Sequence, residues 1–240
     1  EAGFDITVES EIPLGAGLGS SAAVVVAGID AATRALGEPL DRREIADRAY
    51  RAEYEVQDGQ ASRADTFCSA MGGAVRVEGD DCTTLSTPTL PFVVGFDGGA
   101  GDTGKLVADV RALRDRYDFA SDTVDAIGDI VSTGEQLLSE ADPNAEPSDE
   151  LIAELGDLMN INHGLLSALG VSSRSLDTMV WAAREAGAEG AKLTGAGGGG
   201  CIVALDRTDE TRTSLRYTPG CEDSFRAELA TEGVRVEGDE

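Results

Sequence analysis

The chain has 240 residues, enough for one large domain or two modest ones, and 41% of them are hydrophobic, so a core can form. Its 45 acidic residues outnumber its 19 basic ones, and the formal net charge of −26 disfavours nucleic acid and anionic membranes as partners. No run of 18 uncharged apolar residues occurs and the chain opens on a strand-like pattern, so we expect neither a membrane span nor a signal peptide.

In chain order, the first predicted elements are a strand and two helices. Residues 4–9, FDITVE, alternate apolar and polar side chains, which predicts a half-buried strand. Residues 20–36 predict a helix that is apolar nearly all round and therefore buried. Asp41 and Glu44 have the spacing of a capping box, which predicts a second helix over about 41–57.

The next elements predict two α+β units. GGAVRVEG and DCTTLS predict paired strands, and the prolines of TPTLP predict a domain boundary near residues 87–91. FVVGF predicts a buried strand, and GAKLTGAGGGGCIVALD predicts two strands around a glycine loop. A helix over 220–231 and a strand at GVRVEG complete the prediction. The first predicted unit is residues 1–88, the remainder of a domain that begins before Glu1, and the second is residues 89–240. The second unit contains helical patterns at 103–117, 119–141, 149–169 and 174–187.

The charge pattern indicates a salt-rich environment. Acidic residues are spread along the chain between apolar segments, and Lys105 and Lys192 are the only lysines. This distribution favours adaptation to a high-salt cytoplasm, where ions screen the repulsion between acidic side chains. An ordinary acidic protein is the alternative.

Cysteine and histidine usage disfavours two kinds of chemistry. No cysteine belongs to a CxxC pair, which argues against zinc and for reduced thiols in a cytosol. The only histidine, His163, lies in a predicted helix without an adjacent nucleophile motif, so we expect a packing or surface role for it. The four cysteines are Cys68, Cys82, Cys201 and Cys221.

The stretch PLGAGLGSSAA places three glycines and two serines directly before the helix over 20–36. The first turn of a helix has unpaired N–H groups and a partial positive charge, which together bind phosphate. Glycines let a ligand approach the backbone, and Ser20 and Ser21 can cap the helix or reach a metal. The spacing matches neither a Walker A loop nor a GxGxxG fingerprint. A tight turn without a ligand stays the alternative.

The stretch KLTGAGGGGCIVAL has five glycines between residues 195 and 200. Consecutive glycines cost backbone entropy on folding, so they indicate that something approaches the backbone closely. Apolar strand residues flank the loop at once, which disfavours a flexible linker. Two such loops in one chain favour a nucleotide or phosphate site.

Together, PLGAGLGSSAA and KLTGAGGGGC resemble two of the three signature motifs of the galactokinase, homoserine kinase, mevalonate kinase and phosphomevalonate kinase (GHMP) superfamily. Within it, EYEVQDGQASRADTFCSAMGG and LMNINHGLLSALGVSS are similar to segments of the mevalonate kinase family. The resemblance implies an α+β fold, with an N-terminal domain of a mixed sheet and helices and a ferredoxin-like C-terminal domain. The first signature motif is absent, so we expect this chain alone to have little or no activity. Two smaller departures from the family pattern are Leu14, which replaces a proline, and Asp58, an extra residue that affects the alignment of Glu53.

The resemblance implies that Asp65 is the catalytic aspartate, which accepts or orients the proton of the attacking hydroxyl. The residues alone favour another role for Asp65, as the N3 partner of Ser62 in a capping box. The resemblance also implies that Ser21 and Glu53 bind Mg²⁺, and Glu55 competes with Glu53 for that role.

Helix geometry favours Glu53 over Glu55. With a buried face of Ile45, Ala49, Ala52 and Val56, Glu53 falls about 60° from its centre and Glu55 about 100° on the other side. Two solvated glutamates are the alternative.

The resemblance further implies ATP and Mg²⁺ as cofactors and phosphorylation of the 5-hydroxyl of mevalonate in a cytoplasmic isoprenoid pathway. The implied phosphate-binding residues are Pro13, Gly15, Ala16, Gly17, Leu18, Gly19, Ser20 and Ser21. The implied substrate-side residues, on the other wall of a site where the two domains meet, are Thr194, Gly195, Ala196 and Gly197; Thr194 contacts substrate or supports Asp65, and Lys192 is structural.

Three other functions stay open. One is another kinase of the superfamily, acting on homoserine or phosphomevalonate or at the 3-hydroxyl of mevalonate. The second is a nucleotide-binding module without turnover, and the third and weakest is a hydride-transfer enzyme, which the missing GxGxxG disfavours. We expect a small-molecule substrate as partner, no nucleic acid and no membrane; a homodimer stays open as well.

Overall fold

The computed structural model describes residues 3–12, 16–56, 59 and 61–237. The predictions that fall on Pro13, Leu14, Gly15 and Asp58 lie outside these residues. The chain packs as two compact units, one made of the described residues within 1–14, 19–86 and 230–240, the other of those within 15–18 and 87–229. Among the described residues, 16–18 pack with the second unit and 230–237 with the first.

Three helices and a hairpin form the first unit. They are α1 (Ser20–Ala35), α2 (Arg42–Val56), α3 (Arg63–Met71), β1 (Ala74–Glu78) and β2 (Asp81–Leu85). The helices and the hairpin enclose an apolar core around Val26, Ile45, Phe67 and Cys82. The two strands pair antiparallel, with Val77 opposite Cys82, which confirms the predicted hairpin.

Local capping explains where α2 begins. The amide of Glu44 donates to Oδ1 of Asp41 at 2.9 Å, and the amide of Asp41 donates to Oε2 of Glu44 at 3.3 Å. This reciprocal pair confirms the predicted capping box. The prediction that α1 is buried all round is wrong, because Val26 is buried whereas Val24 is exposed. Small and apolar residues follow one another in α1, but only one stripe faces the core.

The strand predicted at residues 4–9 is wrong. Residues 3–11 have no regular secondary structure, and Phe4, Ile6 and Val8 are 47%, 68% and 56% exposed. Alternation produces a strand only where a neighbouring strand completes the hydrogen bonds, and no strand among the described residues pairs with this segment. Within the same residues, the sheet of the first unit is the β1–β2 hairpin, as expected for an N-terminal domain that is truncated in this chain.

The second unit has a ferredoxin-like arrangement. Its elements are β3 (Phe92–Phe96), α4 (Thr103–Arg116), α5 (Asp118–Glu140), α6 (Asp149–Ala168), α7 (Arg174–Glu185), β4 (Gly190–Leu193), β5 (Cys201–Leu205), α8 (Glu210–Arg216) and β6 (Asp223–Ala227). The sheet is antiparallel in the order β4-β5-β3-β6, so the first strand of the unit lies between the third and the fourth. This order, with helices after the first and third strands, confirms the predicted fold of this unit.

Predictions for the last forty residues were partly wrong. The helix predicted over 220–231 is the strand β6, which pairs with the edge of β3 and places Phe225 opposite Val94. α8 was not predicted, because it is short and mostly polar. Residues 232–237 have no regular structure, so the strand predicted at GVRVEG is wrong as well. Within the described ranges, none of the helices is sufficiently long and apolar to cross a membrane.

Candidate active site

The first glycine-rich stretch leads directly into α1. Gly19 occupies the N-cap position with φ of 73°, a left-handed conformation that favours glycine, and no side chain caps the helix. The prediction that Ser20 or Ser21 caps α1 is therefore wrong. Among the described residues, no hydrogen bond engages the amides of Ser20, Ser21 and Ala22. Within the described part of the chain, the first turn of α1 thus has N–H groups without a protein partner, of the kind that bind anions at a helix N-terminus.

A hydrogen bond joins α1 to α2. Oγ of Ser21 donates to Oε1 of Glu53 at 2.5 Å. Glu53 is only 5% exposed although it is a carboxylate, whereas Glu55 on the same helix is exposed. Burial thus distinguishes the two glutamates that the sequence left in competition.

The buried face predicted for α2 is wrong in its second half. Ile45 and Ala49 are buried as expected, but Ala52 is exposed and Val56 is 84% exposed. The face continues from Ala49 to Glu53, so the carboxylate occupies the position that an apolar residue was expected to fill.

Asp65 lies in the first turn of α3, beside the start of α1. Its amide donates to Oγ of Ser62 at 3.2 Å, which caps the helix. A Cβ placed on Gly19 would lie 3.7 Å from Cβ and 3.9 Å from Cγ of Asp65. The cap uses the amide of Asp65 and leaves its carboxyl next to the N-terminus of α1, so the capping and site roles are compatible.

The environment shifts the acidity of this carboxyl. Removal from water by neighbouring atoms raises the pKa of Asp65, a hydrogen bond from Ser62 opposes that rise, and the charge of Glu53 adds to it. The net effect is a pKa above the usual value for aspartate.

The donor set at Ser21 and Glu53 fits Mg²⁺. A hydroxyl and a carboxylate are hard oxygen ligands, and Mg²⁺ usually takes few ligands from the protein and the rest from phosphate and water. In the part of the chain that the structure describes, no cluster of three or more His, Cys, Asp or Glu side chains could hold a metal without such help. Ser21 and Glu53 would therefore share the ion with a bound nucleotide.

The second glycine loop packs within the second unit. The amide of Thr194 donates to the carbonyl of Cys201 at 3.0 Å, which closes the loop between β4 and β5. A Cβ on Gly195 would lie 3.2 Å from the carbonyl oxygen of Gly17, and one on Gly200 would lie 2.9 Å from that of Ala16. The close approach that the glycines predicted therefore comes from the backbone of the first glycine loop.

Asp97 and His163 form hydrogen bonds to this loop or to the strand before it. The sequence alone did not identify Asp97, and it indicated only a packing or surface role for His163. Oδ1 of Asp97 accepts the amides of Gly99 and Gly200, each at 2.8 Å. His163 is buried, in agreement with its expected packing role, and Nδ1 accepts the amide of Leu193 at 3.3 Å. The Asp-Gly-Gly sequence at 97–99 is a turn signal that could have identified Asp97.

Comparisons with known proteins agree with these features. The family profile of the GHMP kinases N terminal domain matches residues 1–73, and that of the GHMP kinases C terminal matches residues 149–217. The mevalonate kinase of Pyrococcus horikoshii is 44% identical over 98% of this chain and 69% of its own length. The mevalonate kinase of Archaeoglobus fulgidus is 37% identical over 98% of this chain and 73% of its own length.

Solved structures share the fold. The L. major mevalonate kinase in complex with R-mevalonate gives a TM-score of 0.72 at 28% identity, over 90% of this chain and 67% of that one. The Methanococcus jannaschii mevalonate kinase gives 0.74 at 25% identity, over 92% of this chain and 66% of that one.

A ferredoxin-like unit, together with a glycine loop that opens a helix beside a carboxylate, is the arrangement of a small-molecule kinase of the GHMP class. The chain belongs to the mevalonate kinase family of the GHMP kinases.

Proposed function

We propose that this chain phosphorylates the 5-hydroxyl of mevalonate with ATP, giving 5-phosphomevalonate and ADP. One observation carries the proposal: among the described residues no group bonds to the amides in the first turn of α1, and the Ser21–Glu53 pair and Asp65 lie beside them. The acceptor is supported by relatives named mevalonate kinase, 37–44% identical, and by the R-mevalonate of the L. major complex.

The phosphates of ATP would lie against the backbone of the first glycine loop. Free amides at the start of α1 donate to phosphate oxygens, and the helix dipole favours negative charge there. In this proposal the loop residues are Pro13, Gly15, Ala16, Gly17, Leu18, Gly19, Ser20 and Ser21. Transfer then depends on positioning and on charge stabilisation more than on covalent chemistry by the protein.

Asp65 would act on the acceptor. As the C5 oxygen bonds to the γ-phosphorus, the bond from that phosphorus to the β–γ bridging oxygen breaks and ADP leaves. The carboxylate of Asp65 receives the hydroxyl proton. Its raised pKa makes it a stronger proton acceptor than an ordinary aspartate.

Ser21 and Glu53 would hold Mg²⁺, which when bound neutralises charge on the phosphates. Thr194, Gly195, Ala196 and Gly197 would lie on the acceptor side; this role, like the homodimer and the domain bounds, stays a prediction.

We further propose that the protein works in a reducing, salt-rich cytoplasm without nucleic-acid or membrane partners. All four cysteines are free thiols, which supports a reducing compartment. The net charge of −26 and the presence of only two lysines support adaptation to salt. Unfolding measured against KCl concentration tests this, because an adapted protein should lose stability as salt is removed.

The activity is tested by a coupled ADP assay with mevalonate, homoserine and phosphomevalonate, in the 240-residue chain and in any longer product of the same gene. Phosphorus NMR of the product distinguishes 5-phosphate from 3-phosphate. We expect 5-phosphomevalonate from mevalonate. Phosphorylation of homoserine but not of mevalonate would show that mevalonate is not the acceptor. Nucleotide binding without turnover of any acceptor would indicate a non-catalytic module.

A further inference from the structure

The edge strand of the second unit is completed by side chains of a helix. β4 lies at the edge of the sheet, so its residues 191 and 193 direct their N–H groups away from β5. The amide of Ala191 donates to Oδ1 of Asn160 at 3.1 Å, and that of Leu193 donates to Nδ1 of His163 at 3.3 Å. Two strand residues span about 6.7 Å and three helical residues about 4.5 Å, a difference that side chains can bridge. α6 therefore replaces a neighbouring strand.

The bond from Leu193 fixes the protonation of the imidazole. A backbone N–H can only donate, so Nδ1 of His163 has no proton and the neutral ring has its proton on Nε2. Nε2 lies 3.2 Å from Oδ1 of Asp177, which also accepts from Oγ of Ser172 at 2.5 Å. His163 is 7% exposed, and its ring is oriented by a partner on each side.

The hydrogen bond from Leu193 to His163, here called the anchor, lies just before the second glycine loop in the chain. Leu193 is the last residue of β4, and Gly195 follows two residues later. A Cβ on Gly17 would lie 3.7 Å from Cα of Gly195, so the two backbones are in contact. All these residues belong to the second unit. Contacts thus continue from His163 through Leu193 and Gly195 to Gly17, two residues before the N-cap of α1.

We propose that neutral His163 is a positioning residue that holds the first glycine loop in its phosphate-binding conformation through Leu193 and Gly195. The inference rests on the proposed function in so far as that loop binds phosphate. A proton added at Nδ1 would place an N–H group against the N–H of Leu193 and release the end of β4.

The surroundings keep the ring neutral near physiological pH. Burial lowers the pKa of His163, as do the positive charges of Arg184 on α7 and Lys192 on β4, whereas Asp177 on α7 acts in the opposite direction. The anchor is therefore expected to hold at neutral pH and to be released in acid.

The test uses the fact that the chain has a single histidine, so that ring nitrogen NMR reports on this residue alone. We expect the Nε2–H form at pH 7.5, with the amide resonances of Gly195 and Gly17 titrating together with the ring. His163→Gln keeps one acceptor and one donor and should abolish the titration without moving these resonances at pH 7.5. His163→Ala should move both resonances, and it should raise the KM for ATP roughly 2–10-fold, with a smaller change in kcat.

Asn160→Ala is the matched control, because it removes the other acceptor of β4, two strand residues further from the loop, and should affect Gly17 less than His163→Ala does. Circular dichroism confirms that each variant is folded. An Nδ1–H ring, unmoved Gly17 and Gly195 resonances in His163→Ala, or equal effects of the Gln and Ala variants would overturn the inference. If the Gly195 and Gly17 resonances titrate with the His163 ring but the chain has no kinase activity, the proposed function is refuted and the role of His163 is not. If the chain is an active kinase but these resonances do not follow the ring, only the role of His163 is refuted.

Discussion

The hydroxyl of Ser21 donates to the carboxylate of Glu53 across 2.5 Å, joining the first turn of α1 to the last turn of α2. The carboxylate is buried, at a position of α2 where the helix faces the core. A buried carboxylate is costly unless it is paired or binds a cation. The arrangement places two hard oxygen atoms, a hydroxyl and a carboxylate, beside the first turn of α1.

Glu53→Gln should weaken the binding of Mg²⁺, because the amide keeps the shape of the carboxylate but loses its charge. We expect the Mg²⁺ concentration for half-maximal nucleotide binding to rise on the order of 10–100-fold. Calorimetric titration of an ATP analogue at several Mg²⁺ concentrations measures this. Glu55→Gln, on the exposed face of the same helix, is the control and should leave the value unchanged. Equal effects of the two variants would exclude Glu53 as a ligand.

Asp65→Asn should lower kcat by about 10²–10⁴-fold, the range that a positioned proton acceptor contributes. The affinity for the magnesium nucleotide should stay within a few fold, because the asparagine keeps the position beside Gly19. Ser62→Ala removes the cap but keeps the carboxylate: it should cost about 1 kcal/mol of stability and lower kcat far less than Asp65→Asn does. Steady-state kinetics and urea unfolding measure the two effects. Full turnover in Asp65→Asn would remove this carboxylate from the mechanism.

Gly200→Ala should destabilise the second unit. Gly200 has φ of 89°, and an added Cβ would lie 2.9 Å from the carbonyl oxygen of Ala16, a backbone atom. We expect a loss of about 1–3 kcal/mol in urea unfolding. Gly28 is interior to α1 with nothing within 4 Å of an added Cβ, so Gly28→Ala should instead stabilise by about 1 kcal/mol. If neither Gly200→Ala nor Gly28→Ala changed the free energy of unfolding, the close packing of the glycine loops would be contradicted.

Lys192→Met should stabilise the protein at pH 7. Burial lowers the pKa of Lys192 to about 8, and its Nζ donates to the carbonyl of Leu193 at 2.8 Å. Because the unfolded chain binds the proton up to about pH 10.5, the folded wild type gains stability as pH rises from about 8 to 10.5. The difference in free energy of unfolding between the Met variant and the wild type should therefore decrease from about pH 8 to about pH 10.5.

Urea unfolding at a series of pH values measures this. Lys105→Met is the control, because Lys105 is exposed and is the only other lysine of the chain. An advantage of Lys192→Met that is constant from pH 7 to 10.5, or that matches the control, would contradict a buried charge at Lys192.

Local signals in the sequence predicted the elements that depend on nearby residues. The capping box of Asp41 and Glu44 set the start of α2, and the two glycine stretches identified the loops that contact each other at Gly17 and Gly195. Helices α4 to α7 followed from apolar periodicity, which is a property of each helix by itself.

Elements that depend on distant partners were not predictable in the same way. Phe225 looked helical in its own segment, but pairing of β6 with β3 decides its conformation. Glu53 was placed off the centre of the buried face, because a sequence pattern does not show that Ser21 provides a partner inside. The bond from Leu193 to His163 joins residues 30 apart, so nothing in either local sequence indicates it.

The most direct test of the account is a crystal structure of the chain with Mg²⁺ and a non-hydrolysable ATP analogue. We expect phosphate oxygens within hydrogen-bond distance of the amides of Ser20, Ser21 and Ala22, and the ion in contact with Ser21 and Glu53. A nucleotide bound elsewhere, with these amides bonded to protein atoms, would contradict the assignment of the first turn of α1 as the phosphate site.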